Sequence, residues 1–322
     1  MMAFLKKNWF FAGILVVVLM AFGIPSFGRW AREYRILNVG IFLAFLITGL
    51  TLETSSIGAE LRRFKAPVAA MLCSLVLIPL LFWLLALLTL PPEFVIGVCI
   101  IATAPVTVAA GTVMTDLGKG NVSLSLFICV LGNFLAVFTI PISLKLLLSF
   151  GGDIELPMLQ MLSGLALTVL VPTILGQLLR PLVKQGLAPH RKAFSIFQQC
   201  VVLLIIFNAV ASSADRILQA GTEVIVVLVF VIFLHSLVLA VNYGVSRLIG
   251  LDRPSTTAFT IHTSQKTLTV SYLVWAGYFA AQYPMALIPG IGYHLTQTIM
   301  DSIVADRFRA AAERTAAERA SS

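Results

Sequence analysis

Formal charge is scarce in this chain. Of 322 residues only 11% are Asp, Glu, Lys or Arg, whereas 59% are hydrophobic, and the mean hydropathy is +0.99. Long apolar runs at that composition are membrane spans, which excludes an ordinary soluble domain. The 14 carboxylates all fall at the ends of apolar runs or between them, so the expected membrane interior carries no Asp or Glu. Cysteine is also sparse. Cys73, Cys99, Cys129 and Cys200 sit inside apolar runs without C-x-x-C spacing, which excludes a disulfide framework and leaves small buried hydrophobes. There is no H-E-x-x-H, no G-x-S-x-G and no intramembrane pair of aspartates, and the glycine-rich run 116–121 lacks P-loop spacing. An enzyme is therefore not expected, nor a metal centre or an organic cofactor. The net charge of +8 and pI near 9.6 do not indicate nucleic acid, because the basic residues are spread over short loops. Lys6-Lys7 and the apolar run 9–27 lack an A-x-A-like cleavage site, so this run reads as an uncleaved first helix.

What is present is a series of apolar windows bounded by charges, Pro or Gly. They predict an all-α membrane protein with ten transmembrane helices, at 9–27, 36–52, 66–90, 93–116, 120–149, 157–180, 193–214, 222–250, 254–280 and 283–306. With the N-terminus in the cytoplasm, only Arg29, Arg32, Arg35, Lys145 and Arg216 of the 22 lysines and arginines fall outside. Lys266 lies within a span, and the others fall inside, which puts both termini in the cytoplasm. Five crossings bring the chain to Gly151-Gly152-Asp153-Ile154-Glu155, a hinge, and the second five must then run inverted. The expected units are 1–150 and 156–308, two inverted five-helix repeats, with a solvated helical tail at 309–322. Inverted repeats of this kind are a transporter architecture with the site between them.

Two segments in matching halves carry the polar residues. Ile101-Ala102-Thr103-Ala104-Pro105-Val106-Thr107 partly repeats in Ile261-His262-Thr263-Ser264-Gln265-Lys266-Thr267. A lysine centred in a span costs roughly 2.5–3.5 kcal/mol on insertion scales. Lys266 is far from both ends of its span, so snorkelling is a poor alternative to a functional or strongly paired role. Thr263, Ser264, Gln265, Lys266 and Thr267, flanked by His262, exceed what one helix absorbs by bonding back to its own carbonyls. A locally unwound segment is expected there. In the fourth span Pro105 frees a carbonyl, and Gly111 with Thr112 permits a bend, so Pro105 and Gly111 mark the expected helix break; a plain proline kink is the alternative. Broken helices offer freed carbonyls to a cation and positive half-helix ends to an anion. The fifth span adds Ser123, Ser125 and Asn133, the last either a ligand or helix-packing glue. Of the other histidines, His235 and His294 read as hydrogen-bonded packing residues.

At these segments the chain resembles the sodium/bile-acid symporter family, in particular its SBF-like (bile-acid-symporter-like) branch, over nearly its whole length. The likeness is carried by Gly176-Gln177-Leu178-Leu179-Arg180-Pro181, by Gly111-Thr112-Val113-Met114-Thr115 leading to Gly118-Lys119-Gly120-Asn121, and by Thr263-Ser264-Gln265-Lys266-Thr267-Leu268. The resemblance implies a panel domain (spans 1, 2, 6 and 7) and a core domain (spans 3–5 and 8–10), with spans 4 and 9 broken and crossing. It implies coupling of sodium entry to uptake of an organic anion. Carried over by position, one sodium site falls at Gly111, Thr112, Ser125, Cys129 and Ile261, and a second at Ser74, Ile261, His262, Ser264 and Gln265. The chain departs from the pattern at Ile261, where a glutamate is expected, at Ser74 in place of a glutamine, and at Lys266 in place of an asparagine. The local charge changes by two units. Lys266 then stands in for a sodium ion, binds the substrate anion, or titrates as a proton-coupling group.

The expectation is an inner-membrane secondary transporter of a small anionic solute, coupled to Na⁺ or H⁺, in the lipid bilayer of a bacterial-type plasma membrane. Its candidate substrate- and ion-binding residues are Thr112, Ser125, Asn133, His262, Thr263, Ser264, Gln265 and Lys266. A non-transporting regulator or scaffold on the same fold is the alternative. A channel or arsenite-type exporter would need a reactive thiol in the fourth span, where Cys99 has no second cysteine beside it. Solute identity, transport direction and oligomeric state are not encoded legibly.

Overall fold

The computed structural model describes residues 9–28, 36–53, 60, 64–149 and 156–321. The hinge expected at 151–155, the basic residues Lys6, Lys7, Arg62 and Arg63, and the outer arginines Arg29, Arg32 and Arg35 lie outside the described residues.

The chain is an all-α, multi-pass membrane protein, with no strand among the described residues. Its helices are α1 (Trp9–Gly23), α2 (Ile36–Thr51), α3 (Lys65–Thr89), α4 (Pro92–Thr103), α5 (Ala109–Leu117) and α6 (Val122–Ser149). There follow α7 (Met158–Leu187), α8 (Arg191–Ala220), α9 (Thr222–Leu248), α10 (Arg253–Ser264), α11 (Leu268–Val274) and α12 (Ile288–Ser321). Five of them (α3, α6, α7, α8 and α9) are long and apolar enough to cross a membrane by themselves. Local chemistry sets the ends. Pro92 opens α4, where a missing N–H costs nothing. Asp252 caps α10 by accepting the Ser255 N–H at 2.9 Å. Gly221, at φ 50°, turns the chain between α8 and α9, a backbone state that side chains with Cβ rarely adopt.

One group of helices is stitched together by side-chain amides that reach exposed carbonyls. Gln198 on α8 donates to Ala44 O (3.1 Å) and Thr48 Oγ1 (2.9 Å) on α2, and Gln177 on α7 donates to Gly49 O (2.5 Å) and Leu52 O (2.9 Å). Gly49 and Gly176 let α2 and α7 touch backbone to backbone, since a Cβ on Gly176 would lie 2.8 Å from the Gly49 Cα. α1 packs on α8, with Gly13 against Leu203.

A second group surrounds α4 and α10. Every residue of α4 from Phe94 to Thr103 is buried, and so is every residue of α10 from Ser255 to Ser264. α10 combines that burial with four threonines, two serines and a histidine. A helix buried on all sides is normally apolar all round, so this one must have partners for its polar groups.

Candidate functional site

α4 stops at Thr103 because Pro105 cannot donate to the helix and pushes Ala104 into an extended conformation (φ −60°, ψ 149°). The next helix begins at Ala109, and the carbonyls between have no intrahelical donors. In an apolar medium each needs one from elsewhere. Four consecutive carbonyls find four different donors. Ala104 O accepts from Lys266 Nζ at 3.0 Å, Pro105 O from the Thr267 N–H at 2.9 Å, Val106 O from Asn133 Nδ2 at 3.2 Å and Thr107 O from His262 Nε2 at 2.8 Å. Three of those donors belong to residues of the segment 261–267.

That segment is itself interrupted. α10 ends at Ser264, residues 265–267 are extended, and α11 starts at Leu268. Gln297 on α12 replaces the lost helix bonds at Lys266: its Oε1 accepts the Lys266 N–H (2.8 Å) and its Nε2 donates to the Lys266 carbonyl (2.9 Å). Tyr293, one turn earlier, donates to Ser264 O at 2.7 Å. The two breaks thus lie against each other, joined by the Thr267–Pro105 backbone bond.

Lys266 is fully buried, with its ammonium held by Ser74 O (2.7 Å), Ser74 Oγ (3.3 Å) and Ala104 O (3.0 Å). The Ser74 carbonyl is available for a local reason. Residues Cys73–Leu77 form a single π-helical turn in which the Ile78 N–H bonds Cys73 O instead of Ser74 O. The next residue in that register is Pro79, which has no N–H to offer. The cation therefore rests on two carbonyls released by two prolines, one of them at the negative end of α4, where positive charge is favoured.

Behind Gln265 lies a second buried charge. Gln265 accepts from the Thr107 hydroxyl in a short bond and donates through Nε2 to Asp301 Oδ2 at 2.7 Å. Asp301 Oδ1 is 2.8 Å from His235 Nε2, and His235 Nδ1 is 3.0 Å from the Tyr293 hydroxyl. Asp301 is fully buried. This overturns the expectation of a carboxylate-free interior: Asp301 was placed at a span end, whereas α12 runs on without interruption to Ser321 and turns Asp301 inward on the face it shares with Gln297. Asp301 pairs there with His235, and both side chains are fully buried.

His262 joins the breaks to α6. With Nε2 donating to Thr107 O, the neutral ring accepts at Nδ1 from Ser125, a short contact, and Thr115 Oγ1 lies 3.2 Å from Ser125 Oγ. Of the residues singled out in the sequence, His262, Ser264, Gln265, Lys266, Ser125 and Asn133 come together in this network. Ser264 accepts from Asn242 Nδ2 at 2.8 Å. Thr263 is adjacent and buried, and its Oγ1 has no partner among the described residues. Thr112 stands apart, its hydroxyl bonded back to Val108 O at 3.3 Å. Gly111 corrects the reading more sharply. It lies inside α5, not in the break, which Pro105 accounts for; a Cβ there would come within 2.6 Å of the His262 ring, so the glycine makes room for the imidazole.

Sequence reasoning missed Thr115, Asn242, Tyr293, Gln297 and Asp301; Thr107 entered only as part of the polar repeat, and His235 as a hydrogen-bonded packing residue, which its bonds to Tyr293 and Asp301 agree with. A signal existed for two of them. Gln297 and Asp301, together with His294, follow the i, i+3, i+7 spacing of one helix face.

Beside the network, a cleft of about 210 Å³ runs between α2, α6 and α7, lined among others by Thr48, Cys129, Asn133, Phe134, Thr173 and Gln177. Asn133 faces both, since its Nδ2 holds Val106 O while its Oδ1 has no partner among the described residues. Away from the cleft the helix groups touch. Tyr272 donates to Asn208 Oδ1 (3.1 Å), Ser213 donates to Pro284 O (2.7 Å), and Arg216 lies 3.9 Å from Glu93.

A family model described as the SBF-like CPA transporter family matches residues 8–310. A probable sodium/metabolite cotransporter BASS4, chloroplastic, from Oryza sativa subsp. indica is 27% identical over 327 residues, covering 96% of this chain and 77% of its own length. Its counterpart from Arabidopsis thaliana is 29% identical over 319 residues, 94% of this chain and 73% of its own. The sodium/bile acid cotransporter 7-B of Xenopus laevis is 28% identical over 316 residues, 93% of this chain and 91% of its own.

Proposed function

Because the chain belongs to the SBF-like CPA transporter family, a family of membrane transporters and not of enzymes, we propose that it is a cation-coupled secondary transporter of an organic anion. The observation that carries the reading is the pair of interrupted helices whose freed backbone groups are satisfied by each other and by polar residues of α6, α10 and α12. Irregular backbone is tolerated in a bilayer only where it is buried in protein or lines a pathway, and secondary transporters place their sites at such interruptions.

The fold reading that goes with this is ten crossings in two inverted five-helix halves, 1–150 and 156–308, followed by a cytoplasmic tail at 309–322. α1, α2, α7 and α8 form the panel, and the remaining helices form the core that carries the breaks. The amide bonds from Gln177 and Gln198 into α2 support the panel as one body. Lys145 and Arg216 are then outside, both termini are cytoplasmic, and the membrane is a plasma membrane of bacterial type. The cleft, lined by α2 and α7 of the panel and by α6 of the core, suits alternating access. A solute there meets Asn133, Thr48 and the start of α5, whose positive end favours an anion. Thr112, Ser125, His262, Thr263, Ser264, Gln265 and Lys266 complete the proposed substrate and ion residues. The names of the relatives, sodium/metabolite and sodium/bile acid cotransporters, support both cation coupling and an organic anion.

Proteoliposomes carrying the purified protein test this directly. Uptake of radiolabelled bile-acid and small carboxylate anions is followed under an imposed Na⁺ gradient, an imposed H⁺ gradient, and neither. Accumulation driven by one gradient and abolished by Gln265→Ala is the expected result. Absence of flux, or flux indifferent to both gradients, overturns it in favour of a non-transporting scaffold.

A further inference from the structure

Resting on that reading, we propose that the Lys266 ammonium is a tethered cation. It holds permanently a position that the family resemblance gives to a mobile sodium ion, so this part of the site takes no Na⁺ from solution.

The residues carried over as sodium ligands do not fit a sodium ion. In the second set both Ser74 oxygens already hold the ammonium, at 2.7 and 3.3 Å. Ile261 is a fully buried aliphatic where a carboxylate would be needed. Both nitrogens of His262 are engaged, by Thr107 O and Ser125. Ser264 accepts from Asn242 and donates to Thr260 O, and the Gln265 amide is used at both ends. In the first set Ser125 is committed to His262, and Thr112 bonds its own helix. No group of three or more His, Cys, Asp or Glu side chains suited to a metal occurs among the described residues.

The ammonium, by contrast, is fully matched. A lysine has three N–H donors, and three oxygens meet them: Ser74 O, Ser74 Oγ and Ala104 O. Carbonyls released at helix interruptions are the groups that transporters use to strip water from an alkali cation. Here the π turn before Pro79 and the break at Pro105 supply two such carbonyls, and the protein's own charge fills the place between them. This arrangement also removes one of the roles open for Lys266. With all three donors spent, it is not an open anion-binding group. Removing the ammonium leaves the Ser74 and Ala104 oxygens without their donor, a setting that recruits a cation from solution.

The test is thermal unfolding of the purified wild type, Lys266→Ala and Ser74→Ala, each in NaCl, methylammonium chloride and N-methylglucamine chloride at one ionic strength. The wild-type midpoint is expected to be the same in Na⁺ and N-methylglucamine. Lys266→Ala is expected to melt lower in N-methylglucamine and to regain several degrees, saturably, with Na⁺ or methylammonium. A saturable Na⁺-specific rise in the wild type that Ser74→Ala removes would overturn the inference, and so would a folded Lys266→Ala protein indifferent to both small cations. Should Lys266→Ala not fold, the wild type and Ser74→Ala, which keeps the ammonium, decide the question alone. The readout is binding, so a failure to observe transport leaves it intact, and its own failure leaves the transport reading standing.

Discussion

Gln297 offers the cleanest test of whether the broken backbone is held by its neighbours. Its amide brackets Lys266, accepting the N–H at 2.8 Å and donating to the carbonyl at 2.9 Å. Gln297→Leu keeps the side-chain bulk and deletes both bonds. Each buried backbone group left without a partner costs about 1–3 kcal/mol, giving about 2–6 kcal/mol for the pair. Interhelical side-chain bonds in a membrane average only ~0.6 kcal/mol, because the polar groups usually find substitutes. Substitutes are scarce here: the adjacent carbonyls of 104–107 are all taken, and the Thr267 N–H is committed to Pro105. A loss of about 2–4 kcal/mol is therefore expected, the lower half of that range. Thr298→Ala, which removes only a hydroxyl bonded back to His294 O at 2.7 Å, is the matched control and should cost under ~0.5 kcal/mol. Denaturant unfolding in bicelles, followed by tryptophan fluorescence, reads both. If Gln297→Leu behaves like the control, the unwound segment is holding its shape by other means and the reasoning fails.

Gly111→Ala puts a Cβ 2.6 Å from the His262 ring and should displace the imidazole from Ser125 and Thr107 at a cost of about 1–3 kcal/mol; equal stability to wild type would show that the ring has room to move. Asp301→Ala leaves His235 Nε2 and Gln265 Nε2 without their acceptor and should cost about 3–5 kcal/mol, whereas Asp301→Asn, which keeps the shape, should cost well under that. Denaturant midpoints for the two substitutions that coincide would argue against a role for the Asp301 geometry. Gly176→Leu should abolish detergent-stable protein on size-exclusion chromatography, since any Cβ there meets the Gly49 Cα at 2.8 Å; a monodisperse variant would refute close α2–α7 packing.

Much of this arrangement was legible in the chain because the bilayer imposes simple constraints. Apolar length located the helices, whose observed limits fall within a few residues of the windows for most spans. Pro105 and the polar run ending at Thr267 located both interruptions, since hydrocarbon does not tolerate that many unpaired donors in one helix. The break in the second segment proved narrower than the polar run: Thr263 and Ser264 stay helical because Thr260 O and Asn242 absorb the Ser264 hydroxyl. Asp301 was illegible by its position alone. Linear distance from the start of a span says nothing of which way a residue faces once the helix is 34 residues long. The π turn at Cys73–Leu77 was equally hidden, because Pro79 reads at first sight as a kink and not as the reason a carbonyl five residues earlier goes free.

The distribution of bonds also bears on how such a site could be exposed first to one side and then to the other. The breaks are tied to α6, α9 and α12 by Asn133, Asn242, Tyr293 and Gln297, so these elements cannot slide past one another without stranding buried polar groups. α2, α7 and α8 are tied among themselves in the same way. Between the two sets the contacts are of another kind. The Tyr272–Asn208 and Ser213–Pro284 bonds and the loose Arg216–Glu93 pair lie away from the cleft. An Arg–carboxylate pair 3.9 Å apart with the Arg side chain more than half exposed contributes little, ~0–1 kcal/mol. Movement of one helix set against the other would therefore break the Tyr272–Asn208 and Ser213–Pro284 bonds and the weak Arg216–Glu93 pair and spare the bonds within each set, carrying Lys266 and its oxygens along as a unit.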